Sequence, residues 1–166
     1  MGRARRIEQW QLAQSAVSIP GGRNEAEKGQ SPVEREFTGV SRNKMDGKGR
    51  VSIPVKFRRV LQNCDTEYAP GGVLRMHVTF GDPTKKFIEC WSADAYARLL
   101  TRISRMKSGS AEARIMAYYY KTMSETLTLD DTGRIVLSQE LREKIALDDE
   151  AAFGTGVTQA LTTLLL

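Results

Sequence analysis

The sequence has few of the residues on which metal centres and disulfide frameworks depend. It contains two cysteines, Cys64 and Cys90, and a single histidine, His77. Three scattered residues of these types do not make a zinc site, and two cysteines do not make a disulfide framework. We therefore expect no bound metal, no cofactor and two reduced thiols in a cytoplasmic protein.

Long apolar runs and catalytic motifs are also missing. No stretch reaches the run of about 18 apolar residues that a membrane span needs, and no apolar segment follows the basic start as it would in a signal peptide. The sequence has neither Gly-x-Ser-x-Gly nor a phosphate-binding glycine loop. His77 lies in a predicted strand, where a packed or surface histidine is favoured over a catalytic one. We expect no membrane contact, no catalytic residue and no enzymatic activity.

Positive charge, in contrast, is concentrated in one place. Residues 38–59 hold seven basic residues against one acidic residue, a net charge of +6. Residues 1–37 carry +1 and residues 60–166 carry −2, which accounts for the total of +5. A solvated surface usually mixes the two signs, so a short basic segment indicates contact with nucleic acid.

Apolar periodicity divides the rest of the chain. Residues 1–36 show no sustained period and are interpreted as a disordered extension, with a short helix at 9–17. Strand-like alternation covers 37–43, a short strand covers 51–53, and 73–91 is predicted to be a β-hairpin. Ser92 and Ser110 are typical N-caps, and they predict two helices that form a helical hairpin over 92–123.

One motif occurs twice, as Met-Asp-Gly-Lys-Gly-Arg at 45–50 and as Leu-Asp-Asp-Thr-Gly-Arg at 129–134. A shift of 84 residues superposes the two copies and indicates an internal duplication. The aspartate can accept backbone N–H groups and close a turn, and the glycine can adopt a positive φ. The planar arginine fork suits phosphate or the edge of a guanine. The superposed pairs are Asp46 and Asp130, Gly49 and Gly133, Arg50 and Arg134, Val51 and Ile135, Ile53 and Leu137, Phe57 and Leu141, Arg58 and Arg142, and Leu61 and Ile145.

Each arginine could instead pair with the aspartate of its own loop. For Arg134 both interpretations stay open, whereas the six other basic residues around Arg50 favour an external anion there. Residues 129–150 hold three basic and seven acidic residues, a net charge of −4. We therefore predict that the first copy contacts DNA and that the second copy mainly supports the fold.

The stretch from Met45 to Pro54, followed by Phe57-Arg58, closely resembles the MraZ family, as does the second Asp-x-x-Gly-Arg after a helical hairpin. The resemblance covers about residues 37–153. It implies an α+β fold: two SpoVT–AbrB-type repeats in a swapped-hairpin β-barrel with flanking helices and a helical hairpin between the repeats. It also implies a nucleoid-associated transcriptional regulator of the division and cell-wall gene cluster. Such proteins form homo-oligomeric rings and bind direct repeats in double-stranded DNA upstream of their own gene.

The resemblance also implies the residues that touch DNA. The arginine by which the family contacts DNA falls on Arg50, and its counterpart in the second copy is Arg134. Lys44 and Lys48 flank the first loop and are expected to contact phosphates, and Arg42 belongs to the same basic segment.

The expected organisation is an extension or mis-called start at 1–36, a first repeat at 37–91, the connecting hairpin at 92–123, a second repeat at 124–153 and an atypical tail at 154–166. The tail has neither charge nor tryptophan. A frameshift or truncation after Phe153 would leave the second repeat without a strand and with an unpaired edge.

Two alternative functions remain. A general AbrB-type DNA binder or an antitoxin-like protein uses one repeat per chain, and the duplication argues against it. A truncated or frameshifted remnant with impaired activity would follow from the unusual tail.

Overall fold

The computed structural model of the chain describes residues 35–82, 87–147, 149–155 and 161–164. The extension proposed at 1–36, with its helix at 9–17, therefore lies almost wholly outside the described residues. Arg35 is described, and it contacts the fold: its guanidinium donates a hydrogen bond of 3.0 Å to Asp94, and its carbonyl accepts one of 3.6 Å from Sγ of Cys64.

The described residues form eight strands, four α-helices and one π-helical turn. In chain order these are β1 (Ser41–Lys44), β2 (Arg50–Ser52), α1 (Val55–Asn63), β3 (Arg75–Thr79), β4 (Phe87–Trp91), α2 (Ala93–Ser104), α3 (Ala111–Ala117), the π-helical turn (Tyr118–Thr122), β5 (Ser124–Thr128), β6 (Arg134–Val136), α4 (Gln139–Lys144), β7 (Glu150–Thr155) and β8 (Leu161–Leu164).

Strands from the two halves of the chain pair with each other. The order β1-β7-β8-β4-β3-β5 describes a six-stranded antiparallel sheet, in which β7 pairs with β1 and β8 pairs with β4. The three-residue strands β2 and β6 pair with each other as a separate antiparallel ribbon, and Val51 of β2 forms one further isolated bridge with Met45. The α+β class is confirmed. The described strands form this open sheet and ribbon and no closed barrel, so the barrel stays a prediction.

One hydrophobic core lies between the ribbon, the sheet and the helices α1 and α4. Phe57 and Leu61 of α1, Leu141 of α4 and Ile145 at its C-cap are all completely or almost completely buried. These are the apolar positions that the duplication superposes, so the predicted core face of both helices is confirmed. A second cluster joins Trp91 to the helical hairpin.

The helical hairpin forms where the sequence predicted it, with one difference in its second half. Ser92 and Ser110 cap α2 and α3 by accepting hydrogen bonds from Ala95 N and Ala113 N. Tyr119, predicted to face inward, is partly buried against the second cluster, and the buried tyrosine is Tyr120. The reason is the π-helical turn, because its wider spacing rotates the following side chains relative to an α-helix.

The first strand is shorter than the predicted span of 37–43. It begins at Ser41 because Gly39, with φ of +74°, interrupts the extended backbone. Phe37 is instead buried in the core, and its ring packs edge-on against Phe57 with 5.7 Å between the centroids.

The expectation that the second repeat lacks a strand was wrong. Residues 161–164 form β8, which lies between β7 and β4 and pairs with both. Strand pairing is made by backbone N–H and C=O groups, so a segment without charge or tryptophan can still complete the sheet. The edge that the missing strand would have exposed is covered.

Phe57→Ala should lower the free energy of unfolding by about 3–5 kcal/mol, because the ring is fully buried and a cavity would remain. Urea unfolding measures the loss. Val55→Ala, two residues earlier in α1 where the side chain is 55% exposed, is the matched control and should cost less than about 0.5 kcal/mol. A loss no larger than that of the control would contradict the assignment of this helix face to the core.

Candidate nucleic-acid interface

The first motif forms a loop that a single carboxylate holds closed. Asp46 Oδ1 accepts hydrogen bonds from the backbone N–H groups of Lys48 at 2.9 Å and Arg50 at 3.0 Å. Its Oδ2 accepts from Nε of Arg50 at 2.6 Å. The peptide N–H of Gly49 donates to Asp46 O, and Asp46 N–H donates to Arg50 O. The aspartate therefore fixes the loop and also the base of the arginine side chain.

The second motif repeats these contacts. Asp130 Oδ1 accepts from the N–H groups of Thr132 at 2.9 Å and Arg134 at 3.0 Å, and Oδ2 accepts from Nε of Arg134 at 3.1 Å. The hydroxyl of Thr132 donates one more hydrogen bond, at 2.6 Å. Gly49 and Gly133 have φ of +78° and +76°. In both motifs, therefore, the aspartate accepts backbone N–H groups of its own loop and the glycine has a positive φ.

The hydrogen bonds keep both carboxylates ionised. The pKa of Asp46 is lowered, chiefly because it accepts from the backbone N–H of Arg50. The pKa of Asp130 is lowered well below its usual range, chiefly because it accepts from the hydroxyl of Thr132. An ionised carboxylate is the better acceptor, so both loops stay closed at neutral pH.

The two loops are joined through the ribbon. Ile53 N–H donates to Gly133 O, and Leu137 N–H donates to Gly49 O, each at 2.9 Å. A Cβ on Gly49 would lie 2.8 Å from Leu137 O, which is closer than real Cβ contacts. The glycine is thus required both by its φ and by the close approach of the other strand.

Two arginines pack beneath these loops, each under the loop of the other repeat. The side chain of Arg58, on α1, lies against Gly133, and that of Arg142, on α4, lies against Gly49. The sequence comparison had superposed these arginines without assigning them a role. Because arginine occurs at this position in both copies, the sequence indicated that the two side chains share a role.

The outer face of the ribbon carries the candidate site, which we call the ribbon face and define as Arg50, Ser52, Arg134 and Val136. Successive residues of a strand point to opposite faces, and the central residues of β2 and β6 are buried. The register places Arg50 opposite Val136 and Ser52 opposite Arg134. The side chains of Arg50 and Arg134 are 35% and 36% exposed. The structure thus brings both predicted arginines to one surface, as diagonal neighbours about 7–8 Å apart.

The other predicted basic residues are exposed and lie close by in the chain. Lys48 is at the tip of the first loop, and Arg42 and Lys44 share the exposed side of β1. Arg42 lies 3.7 Å from Glu150 of β7, so part of its charge is matched within the protein. In the described part of the chain, the ammonium groups of Lys44 and Lys48 form no ion pair.

His77 and the cysteines serve packing. The imidazole stacks on Tyr96 with 4.6 Å between ring centroids and shares a hydrogen bond of 2.9 Å with Thr126, and burial lowers its pKa. Cys64 and Cys90 are buried and form no disulfide. Among the described residues, no three His, Cys, Asp or Glu side chains are placed to hold a metal ion. Every helix of the described chain is too short or too polar to cross a membrane.

Asp46→Asn and Asp130→Asn should each lower stability at neutral pH, and the difference from the original protein should shrink in acid. Because the folded state lowers both pKa values, the ionised carboxylates stabilise it fully above the ordinary value of 3.8, and this stabilisation is lost as the pH falls below it. Urea unfolding from neutral pH to about pH 2 measures this.

Asp131→Asn is the matched control, because this exposed neighbour makes no hydrogen bond with the described residues. It removes the same charge from the loop without removing a hydrogen bond, so it should cost less than about 0.5 kcal/mol at neutral pH. A constant stability difference for Asp46→Asn at all pH values would contradict the proposed role of its charge.

Comparison with known proteins identifies relatives over most of the chain. No protein-family model matches. The transcriptional regulator MraZ of Ruegeria pomeroyi is 41% identical over 119 residues, which cover 72% of this chain and 71% of that protein. The MraZ proteins of Cereibacter sphaeroides and Gluconobacter oxydans are each 35% identical, over 127 and 124 residues, and the matches cover 76% and 74% of this chain and 74% and 72% of those proteins. With this identity over about three quarters of its length, the chain belongs to the MraZ family of transcriptional regulators.

Proposed function

We propose that the chain regulates transcription by binding double-stranded DNA in a sequence-specific manner through the ribbon face and the first loop. One observation carries the proposal: the pairing of β2 with β6 places Arg50 and Arg134 on one exposed surface, and each is held by its own loop aspartate. The family membership supports transcriptional regulation, and the residue assignment rests on the geometry.

The ribbon has the dimensions and the donors for a DNA groove. The major groove of B-DNA admits a two-stranded β-ribbon. Nε of each arginine donates to an aspartate, and among the described residues neither Nη atom has a partner, so both can donate to an external acceptor. Two Nη atoms can donate together to O6 and N7 of a guanine or to phosphate oxygens. An arginine whose base is already fixed loses less side-chain entropy when it binds.

The two ends of the ribbon differ in charge, which assigns the larger share of binding to the first copy. The first loop contains Asp46, Lys48 and Arg50, a net charge of +1. The second contains Asp130, Asp131 and Arg134, a net charge of −1. Because phosphate contacts supply much of the affinity for DNA, the first loop is the stronger binder. Arg134 lies on the same face and adds a smaller contribution.

The finer expectations of the family belong to the same proposal. We infer that the chain forms a homo-oligomer, a ring in the simplest case, and binds direct repeats upstream of its own gene in the division and cell-wall cluster. Several ribbon faces in one assembly would bind several DNA repeats at once, and the resulting avidity would compensate for a weak single site. In the cell, such a protein would be cytoplasmic and associated with the nucleoid.

A general AbrB-type or antitoxin-like DNA binder is the alternative, and a remnant with impaired activity is a further one. Titration by fluorescence anisotropy separates them, using the region upstream of the gene and a scrambled duplex of equal composition. A regulator prefers the upstream duplex strongly and loses affinity steeply with salt. A general binder shows the salt dependence without the preference, and a remnant binds neither duplex tightly.

Arg50→Ala should weaken binding to the upstream duplex by about 5- to 150-fold, the range expected when a bidentate base contact is lost. Arg134→Ala should have a clearly smaller effect, because its loop carries net negative charge. Arg105→Ala, at the exposed end of α2, removes the same charge away from the ribbon face and is the control. Equal losses for Arg50→Ala and Arg134→Ala at one fixed salt concentration would overturn the asymmetry.

Lys48→Thr tests the phosphate contact without disturbing the loop. The second copy has Thr132 at this position and keeps the same backbone hydrogen bonds, so the loop tolerates threonine. The variant should lower the slope of log K against log salt by about 1 while keeping the preference for the upstream duplex. The reverse change, Thr132→Lys, should raise the slope. An unchanged slope in both variants would exclude the contact.

A further inference from the structure

Val136 is the one apolar member of the ribbon face, and the fold does not explain it. Its side chain is 56% exposed, whereas its neighbours Ile135 and Leu137 are almost completely buried. The duplication places Ser52 at the equivalent position of β2, and that strand adopts the same structure. The ribbon therefore forms with either a hydroxyl or an apolar side chain here, and the scaffold does not require valine.

The position of Val136 beside Arg50 indicates a function for the exposed side chain. The two residues are direct cross-strand partners, so their Cβ atoms lie about 4.5–5.5 Å apart on the same face. Neighbouring base pairs of B-DNA are separated by about 3.4 Å. Two side chains at this spacing reach the same base pair or neighbouring ones when the ribbon lies in the major groove.

We propose that Val136 is a specificity-determining residue that contacts the C5-methyl group of a thymine beside the guanine bound by Arg50. Thymine is the base that presents a methyl group in the major groove, and apolar side chains are its usual partners. The inference rests on the proposed function, because it needs the ribbon face to lie against DNA. It adds a sequence preference that arginine alone does not provide.

The same geometry makes the two ends of the ribbon read DNA differently. At the first loop an arginine is paired with a valine, and at the second loop Arg134 is paired with Ser52. A hydroxyl both donates and accepts, so it accommodates any base, whereas a valine favours thymine. A backbone related by approximate two-fold symmetry thus presents one selective end and one permissive end.

Deoxyuridine substitution tests the contact, because it removes only the C5-methyl group of thymine. The probe is the protected part of the upstream region, in which each thymine is replaced in turn. The original protein should bind about fourfold more weakly when one particular thymine is replaced, the effect of one lost methyl contact. In a parallel scan, each guanine is replaced in turn by 7-deazaguanine. The guanine bound by Arg50 is the one whose replacement weakens binding of the original protein but not of Arg50→Ala. The sensitive thymine should lie within about two base pairs of that guanine.

Val136→Ala should abolish the difference between thymine and uracil at that position. Val136→Thr keeps the β-branched shape and one methyl group, so it should retain part of the difference. Val73→Ala changes a valine that is 64% exposed outside the ribbon and should retain all of it. Melting temperatures of the variants confirm that they are folded.

Three results would overturn the inference, and they are distinguishable. If the original protein prefers the upstream duplex but no thymine near that guanine is sensitive to uracil, Val136 does not read a methyl group. The same conclusion follows if folded Val136→Ala keeps the full difference. If the original protein shows no preference for the upstream duplex, the proposed function and the inference fail together.

Discussion

The pairing of β2 with β6 is the constraint on which the rest of the site depends. The carbonyls of Gly49 and Gly133 each accept a hydrogen bond from the other strand, so each loop is anchored by the repeat to which it does not belong. That pairing buries Val51 and Ile135 and turns Arg50 and Arg134 to the opposite face. Neither repeat could form the ribbon face alone, because a single three-residue strand has no stable partner for its backbone groups.

The loop aspartates link the backbone of the loops to the arginine side chains. Asp46 and Asp130 each use one oxygen for backbone N–H groups and the other for an arginine. The interpretation that each arginine pairs within its own loop is therefore correct. It does not exclude contact with DNA, because the aspartate binds Nε and the described part of the chain offers the Nη atoms no partner. Each arginine can therefore form an ion pair within its loop and bind an external ligand at the same time.

The two copies of the motif share one backbone structure but differ in some of their side chains. The loops match in hydrogen bonding, and the crossed packing of Arg58 and Arg142 matches in the same way. Buried positions differ only among apolar residues, as Phe57 and Leu141 do, whereas the differences in charge and polarity lie at accessible positions, where Lys48 corresponds to Thr132 and Ser52 to Val136. The buried positions of both copies stay apolar because burying an unpaired polar group is costly, while accessible positions are free to diverge in charge and polarity.

Much of the fold and the loop chemistry could be predicted from the sequence. Asp46, Gly49 and their copies in the second repeat were identified because a turn closed by a carboxylate followed by a positive-φ glycine is a local structure with a local signature. The caps at Ser92 and Ser110 and the core positions of α1 and α4 have similarly local causes.

Other features depend on residues that are distant in the chain, and only the tertiary structure decided them. The shared face of Arg50 and Arg134 results from the register between β2 and β6, which neither segment specifies by itself. The ion pair of Arg42 depends on Glu150, more than one hundred residues away in the chain. The completion of the sheet by β8 depends on β4 and β7. The sequence by itself determined the family, the recurrence of one motif and the two loops, because these are encoded over a few neighbouring residues. The tertiary structure decided which surface the loops create, because that surface exists only when the two repeats pair.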